Sequence, residues 1–123
     1  MSDEPELRRI TEICLALPEA TSDDQHPPHR GFKVIQKNFA WYTVNEHGSE
    51  MVTLVVRTSL EEAEALVVAD PERFVRPKYV ARFGWVSYRL DLAERRPDWA
   101  EVRELVTESY RMQAPKRLSN LLD

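Results

Sequence analysis

Glycine is scarce in this chain of 123 residues: Gly31, Gly48 and Gly84 are the only three. They stand too far apart to build a phosphate-cradling loop or a dinucleotide fingerprint, which need closely spaced glycines ahead of a helix, so nucleotide-dependent catalysis is not expected. Cysteine is scarcer still. Cys14 stands alone, which excludes an internal disulfide and a thiolate metal cluster. It lies between Ile13 and Leu17 on a helical apolar stripe, where a buried structural thiol is expected rather than a nucleophile. No stretch approaches the roughly 18 apolar residues of a membrane span. The first residues, Met1-Ser2-Asp3-Glu4-Pro5-Glu6, are acidic where a signal peptide is basic. A cytoplasmic protein without membrane attachment is expected.

A large excess of one charge is also missing. The net charge of −4 argues against a protein that coats nucleic acid, but its distribution is uneven. Residues 1–29 balance at −5, residues 30–89 at +2 and residues 90–123 at −1. Local potential steers a polyanion, so a central basic patch remains open to an acidic protein. With 42% hydrophobic and 31% charged residues, the composition is that of a folded globular chain, and one domain spanning residues 1–123 is expected.

Leu7, Ile10, Ile13, Cys14 and Leu17 recur at helical steps, predicting a helix from Glu6 to Leu17 that Pro18 ends. Ala20 to Gly31 is polar, contains two prolines and reads as a loop. β-Branched and aromatic residues then crowd from Phe32 to Val44 and from Met51 to Arg57, around a turn at Asn45-Glu46-His47-Gly48-Ser49. A break at Gln36-Lys37-Asn38 would split the first run. Ser59-Leu60-Glu61-Glu62 fits a capping box opening a helix to about Ala69, with Asp70-Pro71 as its stop. A strand is expected from about Trp85 to Leu90, with room for another at Tyr79 to Arg82. The last helix opens at Pro97-Asp98 and carries Trp99, Val102, Leu105, Val106 and Tyr110 inward, with Met112 at the margin. This order lacks regular βα alternation, so an antiparallel sheet with helices on one face is expected.

Such a sheet presents alternate residues to solvent or a partner. Val52, Leu54 and Val56 would face the helices, leaving Met51, Thr53, Val55 and Arg57 open. Val86, Tyr88 and Leu90 would do the same, leaving Trp85, Ser87 and Arg89 open. Those side chains, with Lys33, Lys37, Lys78, Tyr79 and Arg82, form a candidate nucleic-acid surface in which rings stack on bases and cations meet phosphates. The same residues also suit ordinary cross-strand packing.

Catalytic chemistry is thin. His26, His29 and His47 fall in predicted loops, and His26 and His29 with Asp23 and Asp24 compete as a metal clasp against a solvated loop. The acidic run Asp3, Glu4, Glu6, Glu12, continued by Glu19, Asp23 and Asp24, reads as solvated surface with weak attraction for hard cations at most. Ser109 and Tyr110 read as helix packing and surface residues. No acid, base or nucleophile set assembles, so an enzyme is not expected, and no cofactor is implied.

Several short pieces recur in order along the chain: Leu17-Pro18-Glu19-Ala20, Phe32-Lys33-Val34 with Lys37-Asn38-Phe39-Ala40, Asp70-Pro71-Glu72-Arg73-Phe74, Tyr79-Val80, Gly84-Trp85-Val86, Ser109-Tyr110-Arg111 and Ala114-Pro115-Lys116-Arg117-Leu118. Together they resemble the MmcQ/YjbR family of small bacterial proteins. That resemblance implies an α+β fold related to CyaY-like proteins, a two-layer α/β sandwich of order α-β(3)-α-β(2)-α, and a "double wing" mode of DNA binding. Ala81-Arg82-Phe83 departs from the family, where a glycine commonly follows Tyr-Val. The resemblance supplies no catalytic residues. DNA is the expected partner; a protein or peptide held by the sheet face or an edge strand, and weak metal binding as in CyaY-like proteins, are the alternatives.

Overall fold

The protein is described by a computed structural model over residues 5–122. Helix α1 (Pro5–Leu15) leads into strands β1 (Ala20–Asp23), β2 (Arg30–Val34), β3 (Lys37–Val44) and β4 (Val52–Arg57). Helix α2 (Leu60–Ala69), strands β5 (Phe74–Val75) and β6 (Trp85–Arg89), and helices α3 (Trp99–Gln113) and α4 (Lys116–Ser119) follow. The strands form one antiparallel sheet in the order β1-β2-β3-β4-β6-β5. The core joins Ile10, Ile13 and Cys14 of α1, Ala63 and Val67 of α2, and Val102, Val106 and Tyr110 of α3 to Phe32, Val34, Leu54, Val56, Val86 and Tyr88 of the sheet. Helices therefore pack on one face, as the alternation predicts. Each large apolar side chain buried there contributes about 1.5–3 kcal/mol.

The chemistry of the element ends is local. Ser59 Oγ accepts the Glu62 N–H at 3.0 Å, and Asp98 Oδ1 accepts the Ala100 and Glu101 N–H groups at 3.1 and 3.2 Å, so both predicted helix starts are capped. Ile35 and Gln36 have φ of 46° and 69°. Two successive left-handed residues make the turn that matches strand twist in a two-residue hairpin.

Three expectations need correction. Ala20 to Asp23 is not loop but β1, so four strands precede α2. Its Ala-Thr-Ser-Asp sequence has no apolar alternation, and its pairing with β2 comes from backbone groups that sequence patterns do not report. Tyr79 to Arg82 is not a strand: Tyr79 has φ of 71°, and a 3-10 turn covers Ala81–Phe83. The second strand of that region is the two-residue β5, placed earlier in the connection. The parity that Lys33 and Lys37 would share in one unbroken strand is lost as well, because the hairpin turn at Ile35-Gln36 and a register shift at Phe32/Lys33 intervene.

Behind β5, Arg73 is only 4% exposed. Its guanidinium donates to the carbonyls of Arg89, Arg95 and Arg96 and lies over the Tyr88 ring at 4.7 Å. Bonding to carbonyls satisfies the buried cation and ties the 95–96 loop to the sheet edge.

Candidate functional site

The side of the sheet away from the helices carries the predicted residues with the predicted parity, yet it is not open. Trp41, Val55 and Ser87 lie side by side across β3, β4 and β6, with Arg57 opposite Trp85 in the next rung. Thr43 and Thr53 share a 2.7 Å hydrogen bond one rung further along. Val55 is 3%, Ser87 6% and Trp85 7% exposed. Pro77, Lys78, Tyr79 and Val80 lie against this face, and together with Trp41, Thr43, Val55 and the histidine-bearing loops they enclose a cleft of about 500 Å³. Expected solvent exposure of Trp85 and Ser87 is thus corrected: Trp85 stacks on Trp41, with centroids 4.7 Å apart and planes tilted by 34°. Two large rings that meet across the intervening strand β4 gain more by covering each other than by facing water.

The cations separate into two groups. Arg57 donates from Nε to the Phe83 carbonyl at 3.0 Å and from Nη1 to Gln113 Oε1 at 3.1 Å. It fastens the end of the 77–83 loop instead of meeting solvent phosphates. Arg89 grips Asp91 through two hydrogen bonds of 3.1 Å. Burial pushes the Asp91 carboxyl up, but the Arg89 hydrogen bond and backbone N–H groups outweigh it and hold the group below its usual range. Lys33 pairs with Asp23 at 3.4 Å. The Gln25 backbone N–H, more than Lys33, keeps the Asp23 carboxyl low.

Lys37, Lys78 and Arg82 form the second group. All three are exposed, and among the described residues none has a carboxylate partner. Lys78 and Arg82 share their loop with Tyr79 and Phe83, which are 75% and 51% exposed. The Arg82 guanidinium lies over the Phe83 ring at 4.8 Å, and the Tyr79 ring meets the edge of His47 at 5.4 Å. The end of the loop that Arg57 fastens is held a second time: Thr58 N donates to Gly84 O at 2.8 Å. Gly84 has φ of 93°, and an added Cβ would lie 2.0 Å from the Thr58 carbonyl oxygen. Only glycine permits that approach.

All three histidines border the same cleft, together with Asp23 and Glu46, a convergence that three separate loop positions in sequence do not announce. The Val44 N–H donates to His29 Nδ1 at 3.2 Å, so the neutral ring carries its proton on Nε2. Among the described residues no three His, Cys, Asp or Glu side chains come together to hold a metal. Asp3 and Glu4 of the expected acidic run lie outside the described residues. Trp41, Phe83 and Asn38 are the site residues that sequence reasoning passed over, whereas His26 and His29 stand there only as a competing metal clasp and His47 only as a loop residue. The alternation of β3 already put Trp41 on the outer face, whereas the contribution of Asn38 and the histidines depended on the loops' folded positions.

The crystal structure of Deinococcus radiodurans protein DR2400, which carries the domain DUF419, superimposes with a TM-score of 0.71 over 94% of this chain and 86% of that one, at 19% identity. That likeness concerns the fold. No curated protein gives a significant sequence match. The family model described as YjbR matches residues 15–112, a span from the end of α1 to the last turns of α3, and on that match the chain belongs to the YjbR family.

Proposed function

We propose that this protein is a non-enzymatic nucleic-acid-binding domain whose contact element is the 77–83 loop. The observation that carries this reading is the exposure, within six residues, of two aromatic rings and two cations without a carboxylate partner among the described residues, on a loop whose C-terminal end is fastened by Arg57 and Thr58. Exposed rings and cations in alternation suit a sugar–phosphate strand, because bases stack while phosphates pair. Anchoring lowers the ordering cost of binding. Lys78, Tyr79 and Arg82 keep contact roles in this reading, and Lys37 at the β2–β3 hairpin extends the charge. Arg57, Trp85, Arg89 and Lys33 become supports of the surface. A peptide added to a sheet edge has less to work with: β1 is short and polar and β5 has two residues.

Fluorescence anisotropy with labelled single- and double-stranded DNA tests the reading. Three phosphate contacts should make affinity fall roughly 20- to 40-fold between 50 and 200 mM salt. Lys78→Ala and Arg82→Ala should each weaken binding and reduce the salt slope by about one contact. Absence of binding at 50 mM salt overturns the reading and directs attention to a protein partner.

A further inference from the structure

We propose that the cleft beneath the loop seats one unstacked base of a single strand, an inference that rests on the nucleic-acid reading above. Its floor is flat for a steric reason. Gly31 stands opposite Trp41 across β2 and β3, and a Cβ at Gly31 would lie 2.8 Å from Asn38 Oδ1 and 3.3 Å from Trp41 Cδ1. Glycine lets the indole lie close over the neighbouring strand. Trp85, nearly buried, packs on the indole with ring centroids 4.7 Å apart. The ring is therefore held in place before any ligand arrives, and stacking on it costs little side-chain freedom.

Polar groups around that floor have capacity left for a heterocycle. Among the described residues the buried Asn38 Oδ1 has no hydrogen-bond partner, an unusual state for a buried acceptor. The Asn38 terminal torsion is soft and roughly two-fold, so a half turn about it exchanges which end of the amide, acceptor or donor, is offered to a base edge. His29, with its Nδ1 already engaged by Val44 N–H, has Nε2–H to donate. Lys78 on the rim supplies a cation for the flanking phosphate. The rim carboxylates do not stand bare: Asp23 is paired with Lys33, and Glu46 lies 3.9 Å from His47. A volume of about 500 Å³ lies within the ~300–1,000 Å³ range of small-ligand sites and cannot admit a duplex. A base must leave its stack to show Trp41 a face, which a single strand does far more cheaply than a duplex.

The test compares a labelled ten-nucleotide thymidine strand with an abasic strand of equal length and charge, both at 50 mM salt. The thymidine strand should bind about tenfold more tightly, and Trp41→Leu should remove that advantage while leaving the salt-sensitive binding of the abasic strand. Should Trp41→Leu not fold, the indole N–H resonance of Trp41 in the unaltered protein decides: it should shift on adding thymidine 5′-monophosphate while that of Trp99, on α3, stays in place. Equal affinity for the two strands with an unmoved Trp41 resonance overturns the cleft inference and leaves the loop reading intact. Equal affinity with a shifted Trp41 resonance means that the cleft takes a free nucleotide but no base of a strand, and overturns it also. Absence of binding to either strand removes both.

Discussion

Ser109 Oγ accepts the Arg57 backbone N–H at 2.9 Å and donates to the Phe39 carbonyl at 2.6 Å. One helix hydroxyl thus bridges β3 and β4 at the end of their ladder, just beyond the terminal pair Ala40 and Val56. Beside it Gln113 donates to the Asn38 carbonyl and accepts from the Arg57 guanidinium, and Tyr110 donates to the Pro18 carbonyl at 2.7 Å. The Ser109-Tyr110 piece of the family resemblance is therefore a structural joint. Ser109→Ala leaves a buried carbonyl and an N–H without their partner and should cost about 1–3 kcal/mol, read as a lower urea midpoint at unchanged m-value.

Gly84→Ala places a Cβ against the Thr58 carbonyl in a left-handed backbone. The conformation alone costs about 1–3 kcal/mol for a non-glycine residue, and the overlap adds to it. A larger loss of stability than for Ser109→Ala is expected, and a midpoint within error of the unaltered protein would show that the loop relaxes freely.

Cys14 is fully buried, and burial pushes its thiol far above the usual range. A thiol so placed is neither ionised nor reachable at neutral pH. Ellman's reagent should give no absorbance change with the folded protein over minutes and one equivalent of thiol in urea. Prompt reaction without denaturant would mean that α1 opens readily.

Burial, reinforced by the neighbouring Asp98 carboxylate, raises the Glu101 carboxyl above its usual range. Its folded pKa thus exceeds its unfolded one, so the folded protein binds the proton more tightly. The stability it contributes is complete below the unfolded pKa and is lost as pH rises through the folded pKa. Glu101→Gln, neutral at every pH, should raise the melting temperature at pH 7 more than at pH 4. The reverse order would show that attraction to Arg73 or the Tyr88 hydrogen bond outweighs burial.

The inner row of β4 was legible because Val52, Leu54 and Val56 repeat with the two-residue period of a pleated strand. Ser59 and Asp98 were legible because a cap needs only its own next few residues. Strand β1 was not, since Ala-Thr-Ser-Asp pairs through backbone groups that carry no side-chain signature. The cleft was not either: His26 and His29 reach it from the β1–β2 loop and His47 from the β3–β4 loop, and Lys78 and Tyr79 close it from a segment without periodicity.

What the sequence determined by itself was the parity of β4 and β6 and the starts of α2 and α3, because both follow from interactions between residues a few positions apart. Only the tertiary structure decided which outward-pointing side chains stay in water. Trp85 and Tyr79 are both aromatic and six positions apart, yet one is 7% and the other 75% exposed. Exposure depends on what a distant segment covers, and here the Trp41 ring covers the one while the other stays largely in water beside His47.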